Sequence, residues 1–288
     1  MAEWTIGIIG GSGLYAVEAL EDSQWIGVDT PWGAPSDELL IGWMHGVKCV
    51  FLPRHGRGHS IPPSALNHRA NIDALKLAGC TDLIAISAIG SLREELPPGR
   101  FVIVDQFVDR TAQRENSFFG PGLVAHVSMA DPVCPRLSAL AAAAAQEAGA
   151  DVSVGSTYVA IEGPQFSTRA ESHLYRAWGC DVIGMTAMPE ARLAREAELP
   201  YALVGMVTDH DCWRDSEAVE VDSILAQLRA NAGTAGRLVE ALAKALPARR
   251  SPSPIDTNLD SALITAADAR DPAMLARLDS ICGRVLGR

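Results

Sequence analysis

The 288-residue sequence predicts an α/β fold in which a central mixed β-sheet is flanked by helices. Two observations predict it. Short apolar runs recur along the chain, and stretches of helical period or composition separate most of them. The runs are apolar nearly throughout, the pattern expected of strands covered on both faces.

In chain order, the first strand is Thr5-Ile-Gly-Ile-Ile9, which leads into a glycine-rich turn. Strands 39–43 and 47–52 follow, rich in branched and aromatic residues. Helical composition covers 65–77, and Asp82-Leu-Ile-Ala-Ile-Ser87 returns to a strand. Strand 101–104, the alanine-rich helix 137–148, strand 156–161 and helix 167–178 come next. Strand 181–184, helix 189–197, strand 201–207 and a long helix over 221–246 complete the alternation. Pro247-Ala-Arg-Arg-Ser-Pro-Ser-Pro254 reads as a linker, because its prolines cannot continue the helix. The chain therefore divides into a main domain, 1–246, and a linker with a short C-terminal helical tail, 247–288.

With 48% hydrophobic and 20% charged residues, the chain has the balance of a globular protein with a sizeable core. Its net charge of −11 argues against a nucleic-acid or anionic-membrane surface, though not against a small anion held by local donors. No apolar run reaches the roughly 18 residues a spanning helix needs. Acidic Glu3 and an early glycine-rich turn do not read as a signal peptide. The six cysteines are scattered without a C-x-x-C pair, so they read as reduced core thiols of a cytoplasmic protein.

Chemistry gathers at strand ends. Asp209 and Asp211 follow strand 201–207, and strand alternation would aim both the same way. Two such carboxyls can share a proton or serve as an acid facing a nitrogen-rich base. Alone, an Asp-x-Asp reads equally as a solvated turn. Gly11-Ser-Gly-Leu-Tyr-Ala16 satisfies the dinucleotide fingerprint, with Asp29 as the ribose-binding acid. However, Thr30-Pro-Trp-Gly33 reads as a turn, and no convincing helix precedes Asp29. The simpler use of the glycines is to bring backbone N–H groups and the Ser12 hydroxyl near a phosphate. Arg54 and His55 stand directly after strand 47–52, offering a planar fork and an imidazole to an anion. Ser87 and Ala88 end a third strand with a hydroxyl and approachable backbone. Each turn alone has an ordinary structural reading; three at one sheet edge make a stronger signal.

Together with these, Gly7-Ile-Ile-Gly-Gly-Ser-Gly-Leu14, Arg54-His-Gly56, 67–71, Ser91-Leu-Arg-Glu-Glu95, Asp105-Gln-Phe-Val-Asp-Arg-Thr111, Ile161-Glu-Gly-Pro-Gln-Phe-Ser167, Met185-Thr186 and 208–213 form an ordered series. The series resembles the trimeric branch of the purine nucleoside phosphorylase family, on its methylthioadenosine-cleaving side, over about residues 5 to 245. The resemblance implies phosphorolysis, in which inorganic phosphate attacks the anomeric carbon and adenine leaves. It implies a phosphate pocket of Ser12, Arg54, His55, Ser87, Ala88 and Thr186, with serine at 12 and 87 where relatives often carry threonine. Met185 would lie by the ribose, Phe166 and Ser167 by the base, and Asp209 and Asp211 by the purine nitrogens, Asp209 acting as catalytic acid. Phosphate is then a co-substrate, and neither cofactor nor metal is expected.

An ionised carboxylate accepts from an amino group but would face an acceptor oxygen on a 6-oxopurine, which favours adenine substrates. A 6-oxopurine or methylthioinosine phosphorylase is the alternative within the class, and a nucleotide-binding protein without phosphorolytic chemistry the alternative outside it. Val221, Ile224 and Leu225 share a helical face that reads by period as core. The resemblance makes that face an apolar slot for a 5′-methylthio group. It also makes His126 a residue reaching a neighbouring subunit's pocket, and the assembly a homotrimer. His59, His68 and Arg57 receive no role.

Overall fold

The computed structural model describes residues 3–11, 19–214 and 221–287. Eleven strands and seven α-helices are found among them. The strands are β1 (Thr5–Gly10), β2 (Glu21–Ile26), β3 (Leu39–Met44), β4 (Val47–Pro53), β5 (Asp82–Ser91), β6 (Phe101–Val104), β7 (Gln106–Asp109), β8 (Val152–Val154), β9 (Thr157–Ala160), β10 (Val182–Gly184) and β11 (Tyr201–Asp209). The helices are α1 (His68–Leu77), α2 (Pro135–Glu147), α3 (Arg169–Ala177), α4 (Ala187–Glu196), α5 (Val221–Ala245), α6 (Pro272–Arg277) and α7 (Asp279–Leu286).

All strands belong to one mixed sheet, as the sequence predicts. One path runs β2-β3-β4-β1-β5-β10-β9-β7, while β11 pairs with β5 and β6, and β6 with β8. The sheet therefore forks at β5. Its first half lies between β1 and β11, and at Gly90 and Ser91 it pairs antiparallel with β10. Alternation along the buried strands feeds two cores. Leu83, Ala85, Tyr201, Leu203 and Val207 face a cluster shared with α1, α4 and α7. Ile84, Ile86, Ala202, Val204 and Met206 face a second cluster shared with α2 and α5. This is the two-layer burial that makes the strands read as continuous apolar runs.

Several expected bounds change. Helix 65–77 begins only at His68, because Asn67 caps it by accepting from Ala70 N, and a separate 3₁₀ turn occupies Pro63–Ala65. Helix 167–178 begins after Thr168, which forms a capping box with Glu171. β5 and β11 each run beyond the predicted end to supply part of the site. The unpredicted strands β2, β7 and β8 are short or exposed.

The next described strand after β1 is β2, which is antiparallel to β3 rather than the parallel second strand of a dinucleotide unit, and Thr30–Gly33 closes a turn through Gly33 N donating to Thr30 O. The prolines of 247–254 do end α5, but this stretch is fastened to the sheet. Buried Arg250 pairs with Asp82 at the start of β5 and with Asp256, and Pro247 O accepts from the Trp4 indole. Beyond it, Leu259, Leu278, Ile281 and Cys282 are fully or almost fully buried in the first core. None of the six cysteines is in a disulfide, and five of them are buried. No helix among the described residues is long and apolar enough to cross a membrane.

Candidate active site

A cavity of about 280 Å³ opens where β5 parts from β1 and turns toward β10. Strand ends build it: Arg54 and His55 follow β4, Ile86–Gly90 belong to β5, Ile183–Thr186 end β10, and Met206, Thr208, Asp209 and Asp211 end β11. Phe166 and Ser167 come from the loop after β9, while Ile224, Leu225, Leu228 and Ala232 come from α5. The predicted Arg54, His55, Ser87, Ala88, Thr186, Phe166, Ser167, Met185, Asp209, Asp211, Ile224 and Leu225 thus share one cavity.

Three predicted residues are not in that group. Ser12 lies outside the described residues. Val221 begins α5 and is 58% exposed, without lining the cavity, so its helical face is neither core nor slot at that position. His126 is exposed, away from its own chain's cavity, on a segment whose backbone N–H donates to Ala262 O. The half-exposed Phe166 and the 39% exposed Leu225 leave one side of the cavity open.

The carboxyl pair meets the cavity by a different route from simple strand alternation. β11 has a register shift between Val207 and Asp209, ends at Asp209, and gives way to a turn in which Asp211 has φ of 50°. Asp211 N donates to Asp209 Oδ1 at 2.8 Å, and the Thr208 hydroxyl donates to Asp209 Oδ2 at 2.7 Å. The Asx turn and the functional pair are therefore the same object. Gly90 makes room for it, since a Cβ there would lie 2.9 Å from Ile183 Cγ2 and 3.1 Å from Asp209 Oδ1. Burial lifts the Asp209 carboxyl above its ordinary pKa, against the opposing bonds from Thr208 and Asp211 N. Burial also lifts Asp211, with the Ser172 side chain opposing and the Asp209 charge adding to the rise. Both carboxyls thus hold a proton more readily than exposed ones, the direction that suits an acid catalyst.

On the opposite side, Ser87 Oγ and Thr186 Oγ1 lie 3.2 Å apart, both buried. His55 Nδ1 is 2.8 Å from Ile61 O, and a carbonyl only accepts, so Nδ1 carries a proton. Its ring stacks on His59 with centroids 4.2 Å apart. Burial, abetted by the Arg54 and His59 charges and resisted by the Ile61 carbonyl, lowers the His55 pKa to about 4. The imidazole is therefore neutral at pH 7. Arg54 is not a free fork. Its Nε and Nη2 donate to Glu190 at 2.9 and 3.1 Å, and Ile86 O and Ile9 O take further N–H groups. Glu190, wholly buried, also accepts from Tyr201 OH at 2.9 Å. The cation thus reaches the cavity already paired, which keeps so deeply buried a guanidinium in place.

Sequence reasoning missed His59, Thr208, Ile161 and Leu228 in the lining, and Glu190 beneath it. His59 stood in the noted Arg54–His59 turn. Glu190 gave no signal, being 136 residues from its partner.

Residues 5–244 match the phosphorylase superfamily model. The chain is 57% identical to the S-methyl-5′-thioadenosine phosphorylase of Cereibacter sphaeroides, covering 98% of each chain. It is likewise 57% identical to that of Bradyrhizobium diazoefficiens, covering 99% of each. Among solved structures, a methylthioadenosine phosphorylase from an Antarctic soil metagenomic library superposes with a TM-score of 0.91 at 45% identity, covering 98% of this chain and 99% of that one. A mutant adenosine/methylthioadenosine phosphorylase from Schistosoma mansoni in complex with methylthioadenosine superposes with a TM-score of 0.79 at 40% identity, covering 84% and 91%.

Proposed function

This chain belongs to the phosphorylase superfamily, and from that premise we propose that it cleaves S-methyl-5′-thioadenosine with phosphate, releasing adenine and 5-methylthioribose 1-phosphate. The observation that carries the reading is a single cavity lined both by the Asp209 and Asp211 carboxyls and by phosphate-compatible hydroxyl, imidazole and guanidinium groups. A phosphate oxygen bonds to the anomeric carbon as the carbon–N9 bond breaks, and its electron pair leaves on adenine. Asp209 assists that departure by donating a proton to the five-membered ring, because neutral adenine leaves far more readily than its anion. Asp211 accepts from the exocyclic amine. The phosphate charge stabilises the developing positive charge on the sugar, held by Ser87, Thr186 and the paired Arg54.

The reading extends to parts of the molecule away from the reacting atoms. Ile224, Leu225 and Leu228 offer the 5′-thiomethyl group an apolar wall. Each buried carbon gains about 0.8 kcal/mol, whereas a 5′-hydroxyl there would lose its water partner. Val221, Phe166 and His126 are exposed, and a homotrimer in which each copy covers the next one's cavity gives those residues their use. Phosphate serves as co-substrate without a further cofactor, and six cysteines outside any disulfide suit a cytoplasmic enzyme.

Incubation with methylthioadenosine should release free adenine only when phosphate is present. Release without phosphate, or none with it, would reject phosphorolysis. Faster turnover of methylthioinosine or inosine would reject the aminopurine assignment.

A further inference from the structure

We propose that Arg114 is a positioning residue that sets the distance between the two walls of the cavity, an inference that rests on the phosphorolysis reading. Arg114 does not line the cavity, and its side chain is only 3% exposed. Its five N–H groups are all used, and all on segments that carry the site. Nη1 donates to Met185 O at 2.6 Å and to Met188 O at 2.7 Å. Nη2 donates to Glu162 O at 2.6 Å and to Ile161 O at 3.4 Å, and Nε donates to Glu162 Oε1 at 2.9 Å. Glu162 Oε2 in turn accepts from Ala112 N and Gln113 N, fastening the segment that delivers Arg114.

One side of this clamp is the end of β9, which leads through Gly163 to Phe166 and Ser167. The other side is the end of β10, where Met185 and Thr186 form the ribose and phosphate wall. The two walls already touch: a Cβ on Gly163, which has φ of 68°, would lie 2.6 Å from Met185 Sδ. Carbonyls past these strand ends need donors once the sheet has ended, and one planar guanidinium serves three of them and Met188 O, in the first turn of α4, at once. A lysine has three donors on one atom and cannot span the same set. β9 and β10 are paired as far as Ala160 and Gly184, and Ile161 N still donates to Gly184 O; beyond that point the base and phosphate walls part, and the buried fork bridges them.

The reaction needs phosphate and the anomeric carbon aligned, whereas binding either ligand alone needs only its own wall. Arg114→Ala should therefore lower kcat roughly a hundredfold, the scale of a 1 Å misplacement, with both KM values moving by less than about threefold. Arg114→Lys should recover part of that loss. Steady-state kinetics for methylthioadenosine and phosphate are read beside a thermal melt for each variant. If the alanine variant does not fold, the lysine variant carries the test through its own split of kcat from KM. Wild-type kcat in a folded but less stable variant overturns the inference, as does a fall of kcat in step with both affinities, because either result makes Arg114 ordinary scaffold. Wild-type enzyme that releases no adenine overturns the reaction reading and this inference with it. Active wild type with unaltered variants overturns the clamp alone.

Discussion

At the residue scale, the chemistry rests on how Asp209 is held. Its two oxygens accept from Thr208 and from Asp211 N, so its orientation is set before substrate arrives. Asp209→Asn keeps the size and an acceptor for Asp211 N but removes the titratable proton. Turnover of methylthioadenosine should fall by about 10²–10⁴, the usual worth of a positioned general acid. Stopped-time assays of adenine release measure it, and near-wild-type turnover would show that Asp209 is not the acid. The residue types of this site were visible in the sequence, and twelve of the predicted positions converge on the cavity. Their states were not visible. That Arg54 arrives neutralised depends on Glu190, which no local spacing connects to it, and that His55 is uncharged depends on burial, which only the assembled fold supplies. Val221 shows the limit of period alone: its place on the helical face is real, but at the first turn of α5 it is 58% exposed and outside the cavity lining.

At the element scale, α4 ends in a charge held against its solvation. Glu196 is buried, accepts from Ser117 Oγ and Phe118 N at 2.7 Å each, and fastens the loop before Gly120 to the helix. Burial outweighs those bonds and the Arg192 charge, pushing its pKa up to about 7 from 4.5. The folded state therefore holds a proton that the unfolded state has lost between these values. Stability from this group is full below about 4.5 and declines as pH rises to about 7. His55 and His68, lowered to about 4 and about 3 chiefly by burial, act with the opposite sign below 6.5. The difference between wild type and Glu196→Gln isolates the carboxyl. Melting temperatures should show the glutamine variant gaining on wild type as pH rises through that window. A difference independent of pH would dismiss the effect. Long apolar strands such as β5 and β11 were legible because burial on both faces leaves a continuous apolar run. β2, with its Glu21-Asp-Ser-Gln sequence and exposed start, was not, since an edge strand needs neither alternation nor an apolar run. β8 has three residues, too few to carry a period.

At the scale of the whole molecule, the C-terminal segment is part of the first core. Ile281 is 1% exposed and packs in the cluster that holds α1 and α4. Ile281→Ala should cost about 2–5 kcal/mol, comparable to an interior substitution anywhere in the sheet. Urea unfolding monitored by tryptophan fluorescence tests this, and a change below about 0.5 kcal/mol would mean the segment is a surface appendage. The sequence misled here because prolines and charges over 247–254 have the composition of a linker. Arg250 instead uses its charge on Asp82 and Asp256, a pairing that composition cannot reveal.

That pairing also has a meaning in time. During synthesis, β5 is complete by Ser91, yet two of its partners, β10 and β11, lie beyond residue 181, and the second of the two arginines that meet Asp82, Arg250, comes 168 residues after it. A nascent chain must therefore shelter the unpaired edge of this strand until β11 is complete at residue 209 of 288. Loop-closure entropy is met late, and closure of the sheet and completion of the catalytic cavity become one event. A half-made molecule holds Arg54, His55, Ser87 and Ala88 but neither Thr186 nor the carboxyl pair, and it carries an exposed strand edge that chaperones or aggregation would capture.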